Sequence, residues 1–150
     1  MNVENEHPKI VAARNGEDPA LVCKVISGWV FLCNLQFLSG YCILQADPTV
    51  ASINDLDAAG RAQFLTDMIL VGDALMEVTG AYRVNYAIAG NSDPVLHAHI
   101  VPRYMDEPEE LRIGLPWSHP TTYDPTTFFD AQRDRELIKK LSDSIKAHST

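Results

Sequence analysis

Two histidines stand two residues apart within residues 93–103, in a run that is otherwise rich in apolar side chains. Side chains alternate between the two faces of a strand, so His97 and His99 are predicted to share one face. Ala98 and Ile100 then point into a core on the other face. Near neutral pH an imidazole is a nucleophile, a proton donor or a metal ligand. The pair therefore predicts a site for one of these three chemistries.

Two other interpretations of the pair stay open at this point. Each histidine could be a structural residue whose ring is satisfied by hydrogen bonds within the protein. The pair could also supply two metal ligands, although a structural zinc site needs about four and a catalytic one about three. The other histidines and the cysteines show no paired ligand spacing: His7, His119, His148, Cys23, Cys33 and Cys42. We therefore expect no metal and no cofactor.

The histidine run resembles the signature of the histidine triad (HIT) superfamily of nucleotide hydrolases and transferases. That signature is His-x-His-x-His, followed by two apolar residues and often by Pro-Arg. Alignment on residues 101–103 places His97 on the central histidine of the family and His99 on the last one. Val95 then stands where the first histidine is expected.

Features upstream strengthen the resemblance. Residues 31–34 and 39–44 resemble the family's strand with its asparagine, the turn, and the next strand. Tyr41 occupies the turn position where the family often has histidine. Asp55-Leu56 before a long helix and Asn85 in the strand before the histidines also have counterparts there. The resemblance covers about residues 21–104 and does not clearly extend to the first 20 residues or to the tail.

The resemblance implies a mechanism and a set of site residues. His97 would attack phosphorus and form a nucleotidyl-histidine, while His99 would hold phosphate oxygens or protonate the leaving atom. The implied substrate is a nucleoside phosphoramidate, a phosphoanhydride or a dinucleoside polyphosphate. The implied substrate-binding residues are Asn34, Tyr41, Asn85, Ser92 and Arg103. A two-fold homodimer is also implied.

Several of these residues have simpler alternatives. Ser92 could only cap a turn, Asn34 and Asn85 could be turn or strand-end residues, and Arg103 could be solvated or paired with a nearby carboxylate. Because Val95 cannot form a side-chain hydrogen bond, a relay through that position is lost. Two further function classes therefore stay open: a catalytically weak nucleotide-binding or interaction protein on the same fold, and a metal-dependent protein that uses the two histidines as ligands.

Composition narrows the class of protein. The chain has 150 residues, of which 46% are hydrophobic, and is expected to form one domain over residues 1–150, with a core at about 21–104 and a C-terminal extension at 105–150. A net charge of −8 with only 12 basic residues argues against binding of polymeric nucleic acid. With no apolar run of membrane-spanning length and no leader-like N-terminus, we expect a cytoplasmic protein without a membrane partner.

The hydrophobic periodicity predicts an α+β fold, with a five-stranded antiparallel sheet, one long helix and a C-terminal helix. Strands are predicted at 20–26, 29–33, 40–46 and 82–88, and as the histidine strand, which Pro102 should close. A short helix is expected over 7–15. The long helix should run from about Asp57 to a glycine cap at Gly80. A final helix is predicted to open at Asp124-Pro125.

Overall fold

The computed structural model describes residues 6–149 and has an α+β architecture built on one antiparallel sheet. The strands are β1 (Leu21–Val25), β2 (Gly28–Leu32), β3 (Cys42–Ala46), β4 (Arg83–Ala87) and β5 (His97–Arg103). The helices are α1 (Pro8–Arg14), α2 (Ala58–Thr79), α3 (Glu109–Arg112) and α4 (Arg135–His148). The strand order is β1-β2-β3-β5-β4, so the histidine strand lies inside the sheet. The predicted fold class is confirmed.

One face of the sheet packs against α2 and α4 and forms the main core. Alternate residues of β2, β3 and β5 point to this face because successive side chains of a strand project to opposite sides. The sheet contributes Val30, Leu32, Cys42, Leu44, Ala46, Ala98 and Ile100, and the helices contribute Phe64, Val71, Leu75, Leu141 and Ile145. The other face of the sheet is thereby left for the histidines.

The long helix α2 begins and ends as its sequence predicts. The Asp57 side chain accepts a hydrogen bond from the Gly60 backbone N–H at 2.7 Å, and Gly80 ends the helix with a φ of 72°. Only glycine adopts this left-handed conformation without steric cost, which explains a glycine at this position. None of the helices within residues 6–149 is long and apolar enough to cross a membrane.

Two segments cover the histidine-bearing face. Helix α1 buries Ile10 and Ala13, and the Lys9 ammonium lies 4.2 Å from the ring centroid of Phe31 in β2. The C-terminal extension crosses the same side, where Phe128 forms a β-bridge with Leu35. The extension is therefore part of the surroundings of the site.

Two predicted boundaries are wrong. Strand β5 continues through Pro102, which pairs with Val84 of β4, instead of ending there. On its other side the pairing with β3 has already stopped at Ile100, so a residue without an N–H costs no hydrogen bond at this position.

The final helix does not open at Asp124. The Asp124 side chain caps only a single turn of 3₁₀ helix over Pro125–Thr127, and α4 begins ten residues later than Pro125, at Arg135. The intervening segment is drawn into tertiary contacts instead, since the Phe129 backbone N–H donates to the Asn34 carbonyl at 2.8 Å. These contacts outweigh the local capping signal.

Arg103, at the end of β5, is buried with only 2% of its surface exposed. Its guanidinium makes a two-pronged contact with Glu107 and also donates to the Asn85 side chain and to the carbonyls of Gly114 and Leu111. These acceptors use all five N–H groups of the guanidinium. Arg103 therefore has a structural role in the folded chain.

Glu107 joins this arginine to the C-terminal extension. Its carboxylate also accepts from the Tyr104 backbone at 2.6 Å, and His119 lies within hydrogen-bond distance at 2.6 Å. Burial alone would raise the pKa of Glu107, but the hydrogen bonds from Arg103, Tyr104 and His119 outweigh burial and lower it. Through its bonds to Arg103 and His119, the ionised carboxylate links the end of β5 to the C-terminal extension.

Replacing this carboxylate should destabilise the protein. Glu107→Gln keeps the shape of the side chain but leaves the buried Arg103 cation uncompensated, so we expect the free energy of unfolding to fall by about 3 kcal/mol. Urea denaturation at pH 7 measures this change. The control is Asp106→Asn in the same loop, which removes an exposed carboxylate and should change stability by less than about 0.5 kcal/mol. Equal effects of the two substitutions would contradict the role of Glu107.

Candidate functional site

The candidate site is centred on two imidazoles on β5. Ala98 and Ile100 are fully buried in the main core, so His97 and His99 project from the opposite face. Their ring centroids are 5.0 Å apart, with an angle of 69° between the ring planes. Both rings are partly exposed. The strand thus holds two adjacent imidazoles on a rigid backbone at an accessible surface.

The hydrogen bond of His97 determines which of its ring nitrogens carries the proton in the neutral form. Its Nδ1 lies 2.8 Å from the backbone carbonyl of Val95, which can only accept. Nδ1 must therefore carry a proton and donate it. In the neutral ring Nε2 is then left with a free lone pair, which is the form needed for a nucleophile or a base.

His99 is held by the buried side chain of Tyr41. The Tyr41 hydroxyl lies 2.5 Å from Nδ1 of His99, and Tyr41 itself is only 1% exposed. Burial and, to a smaller extent, the neighbouring His97 together lower the pKa of His99 to about 4. His99 is therefore neutral at pH 7. When Tyr41 donates to Nδ1, the proton of the ring lies on Nε2, and His99 offers a neutral N–H to the site.

Burial also raises the pKa of Tyr41 well above its usual value, and the nearby Cys33 thiol adds to the rise. The phenol accordingly stays protonated. Since Tyr41 is enclosed and its hydroxyl is used by His99, the structure places it as a support for His99 behind the exposed part of the site.

An aromatic wall comes from the C-terminal extension. The indole of Trp117 stands edge-on to His99, with ring centroids 5.6 Å apart and an angle of 85°, and it also lies 6.4 Å from the Tyr41 ring. Trp117 retains 37% of its exposure. Sequence reasoning missed this residue because it lies in a proline-rich stretch without periodicity, almost 20 positions after His99.

The structure does not connect the remaining predicted residues to the two rings by hydrogen bonds among residues 6–149. Asn85 is paired with Val101 in the sheet, and its side-chain oxygen accepts a hydrogen bond from Arg103, whereas Ala87 is the residue directly opposite His99. Asn34 and Ser92 are exposed in loops. Among residues 6–149, no hydrogen bond joins the side chain of Asn34, Asn85 or Ser92 to either histidine.

A small cavity adjoins His97. It has a volume of about 150 Å³ and is lined by His97, Val95 and the two segments 51–54 and 88–90. Sites for whole drug-sized ligands are typically about 300 Å³ or more, so this space suits a phosphoryl group and not a complete nucleotide. The Val95 side chain gives the cavity an apolar wall.

Within residues 6–149 there is no group of three or more histidine, cysteine, aspartate or glutamate side chains that could hold a metal ion. The two imidazoles also serve other partners, since each Nδ1 is engaged by Val95 or Tyr41. The site that the structure does contain is a pair of imidazoles with one open nitrogen each.

Sequence comparison gives little, but structural comparison is informative. No protein-family model matches the chain, and no curated protein sequence matches it. A histidine triad protein from Bradyrhizobium japonicum is 27% identical, with 89% of this chain and 95% of that chain covered and a TM-score of 0.67. The chain belongs to the histidine triad superfamily.

Two solved structures of lower sequence identity share the fold. A hypothetical histidine triad nucleotide-binding protein from Sulfolobus tokodaii is 16% identical over 93% of this chain and 92% of that chain, with a TM-score of 0.70. A diadenosine triphosphate hydrolase from Plasmodium falciparum is 15% identical over 89% of this chain and 80% of that chain, with a TM-score of 0.60. The fold is therefore shared with both of these proteins over about nine-tenths of this chain.

The lowered pKa of His99 gives a direct prediction. In an NMR titration the His99 ring should take up its proton near pH 4, well below the usual value of about 6.5. Because the unfolded chain binds this proton more readily, the stability due to neutral His99 is complete above about pH 6.5 and is lost as the pH falls toward 4.

Removal of the ring should remove this pH dependence. The variant His99→Gln should lose less stability than the wild type between pH 6.5 and pH 4, as measured by thermal unfolding at each pH. A His99 titration midpoint near 6.5 in the folded protein would show that burial does not control this ring.

Proposed function

We propose that this protein is a nucleotide hydrolase or nucleotidyl transferase that acts through a nucleotidyl-histidine. The proposed substrates are nucleoside phosphoramidates, phosphoanhydrides and dinucleoside polyphosphates. The observation that carries the proposal is the 2.8 Å hydrogen bond from His97 Nδ1 to the Val95 carbonyl, because in the neutral ring this bond leaves the Nε2 lone pair free to attack phosphorus.

The chemistry follows from this free nitrogen in two steps. In the first, the Nε2 lone pair forms a bond to phosphorus while the bond from phosphorus to the leaving group breaks, and the departing electron pair takes up a proton from solvent. In the second, water or another acceptor attacks the same phosphorus and gives up its proton to solvent. The P–N bond then breaks, the nucleoside monophosphate is released or transferred, and His97 regains its lone pair.

His99 has a supporting part in this scheme. At pH 7 it is neutral, so it offers its Nε2 hydrogen to a phosphoryl oxygen and does not act as a cationic acid. Of the other predicted contacts, the exposed Ser92 and Asn34 are our candidates for direct ligand binding. Tyr41 acts through His99, and Asn85 and Arg103 act by holding the extension in place.

The structural relatives support the class of ligand. One neighbour of the same fold is described as nucleotide-binding and another is a diadenosine triphosphate hydrolase. A phosphorylated small molecule also suits a chain with a net charge of −8 better than polymeric nucleic acid does, since a few neutral donors are enough to bind one phosphoryl group.

A catalytically weak nucleotide-binding protein is the second candidate, and Val95 is the observation that favours it. This side chain lines the cavity beside His97 but has no group that can donate or accept a hydrogen bond. The two candidates differ in one measurable species. Mass spectrometry after a short incubation with a nucleoside phosphoramidate detects a nucleotidyl group on His97 if the protein is an enzyme.

Substitution of the nucleophile tests the enzyme directly. His97→Ala should lower the turnover of an adenosine phosphoramidate by ~10³-fold or more, while the fold is kept because the core contacts of β5 come from Ala98 and Ile100. Steady-state kinetics and circular dichroism measure the two effects. The matched control is His148→Ala, which removes an exposed histidine at the end of α4 and should leave the rate unchanged. Wild-type turnover by His97→Ala would rule out the nucleophile.

We also propose a two-fold homodimer, in which β4 and α2 form the contact. Strand β4 is an edge of the sheet, with one unpaired side. On α2, Leu65, Ile69 and Met76 form an exposed apolar stripe. Gly72 lies on the same stripe and touches the partly exposed Tyr86 of β4, so the helix stripe and the strand edge make one surface.

Light scattering measures the assembly. At micromolar concentration we expect a mass near twice the 16.6 kDa of one chain. Ile69→Glu places a charge in the centre of the apolar stripe and should shift the protein to the monomer, because an unpaired charge is costly to bury at an interface. A wild-type mass near that of one chain would contradict the proposed dimer.

A further inference from the structure

Gln45 is a buried polar residue beside His97 that the sequence motifs do not include. Its neighbours in β3, Leu44 and Ala46, are buried in the main core, so the Gln45 side chain projects from the face that carries the histidines. In the sheet Gln45 is the residue directly paired with His97. Directly paired residues have Cβ atoms about 4.5–5.5 Å apart.

The side-chain amide of Gln45 is enclosed and has an unused donor. Gln45 is only 3% exposed, and its Nε2 has no hydrogen-bond partner among residues 6–149. It is the only buried side-chain nitrogen or oxygen of these residues in that condition. Because native proteins pair nearly all buried polar groups, an unpaired donor next to a nucleophile calls for an explanation.

Gln36 provides a comparison within the same molecule. It is also buried, with 6% exposure, but its Nε2 donates to the carbonyls of Cys33 and Tyr41, both at 2.8 Å. Its Oε1 accepts from the Gly40 N–H at 2.9 Å. Gln36 is a structural brace whose amide is fully used, whereas the donor of Gln45 is left for something that the folded chain does not supply.

We propose that the Gln45 amide is a substrate-binding group that donates to a non-bridging oxygen of the phosphoryl group attacked by His97. This inference rests on the proposed function, since it needs a phosphoryl group at Nε2 of His97. A phosphoryl oxygen is an acceptor that a neutral N–H can stabilise as negative charge builds up on it. Gln45 on the neighbouring strand β3 and His99 on β5 would then donate N–H groups to the phosphoryl oxygens from two sides of His97.

If the donor is kept unpaired for a ligand, its removal should lower activity without lowering the stability of the protein. Gln45→Met has nearly the same shape but no amide, so the buried unpaired donor disappears and the melting temperature should equal or exceed that of the wild type. Turnover should nevertheless fall by about a hundredfold, mainly in kcat. Gln45→Glu keeps the shape but replaces the donor with an acceptor, and it should weaken both turnover and binding of a nucleoside monophosphate.

The matched control is Gln36→Met. It removes an amide whose bonds are all satisfied, so the melting temperature should fall by about 5 °C or more. If Gln45 were instead a structural residue bound to an internal water, Gln45→Met would behave in the same way as Gln36→Met. A lowered melting temperature with unchanged kcat for Gln45→Met would overturn the proposal.

A binding measurement on the wild-type protein complements the variants. The Gln45 side-chain amide signal, assigned by its absence from the spectrum of Gln45→Met, should shift when adenosine monophosphate is added. The signal of Gln36 should not shift. An unmoved Gln45 signal in a protein that binds the nucleotide and turns over the phosphoramidate would overturn this inference alone. If the wild type neither binds nor turns over nucleotides, the proposed function fails and the role of Gln45 fails with it.

Discussion

The burial of Ala98 and Ile100 against the helices α2 and α4 is the constraint on which the site depends. These two residues fill the core from the inside of the sheet, and β5 is paired on both sides there, so the strand cannot rotate or slip by one residue. A slip would move both histidines into the core. Ala98 and Ile100 thus determine where the imidazoles point. The hydrogen bonds with Val95 and Tyr41 determine which nitrogen of each ring is open.

The site is built from neutral groups. Burial keeps His99 neutral, and Tyr41 keeps its proton. The positive charge of Arg103 is neutralised by a buried ion pair with Glu107. A set of neutral donors suits a phosphoryl group without the strong field that would attract a long polyanion. This arrangement fits a chain that is acidic overall and is expected to act on small phosphorylated molecules.

The C-terminal extension is a structural part of the site. Arg103, at the end of the histidine strand, holds it through Glu107, and the extension returns Trp117 to the side of His99. The wall of the site and the end of β5 therefore depend on the same buried ion pair. Changes in this segment are expected to affect the surroundings of His99 without any change in the histidine motif.

The sequence by itself determined the features that depend on short-range order. Strand alternation fixed His97 and His99 on one face, and the capping residues Asp57 and Gly80 marked both ends of α2, because these signals act over only a few residues. Tertiary structure decided whatever depends on distant partners. It continued β5 through Pro102, since β3 had already ended, and drew residues 128–134 into contact with the Asn34 loop instead of a helix. It also paired Arg103 with Glu107, brought Trp117 to His99 and, within residues 6–149, left the Gln45 Nε2 beside His97 without a hydrogen-bond partner. Burial and hydrogen-bond satisfaction are properties of the folded chain and not of local sequence.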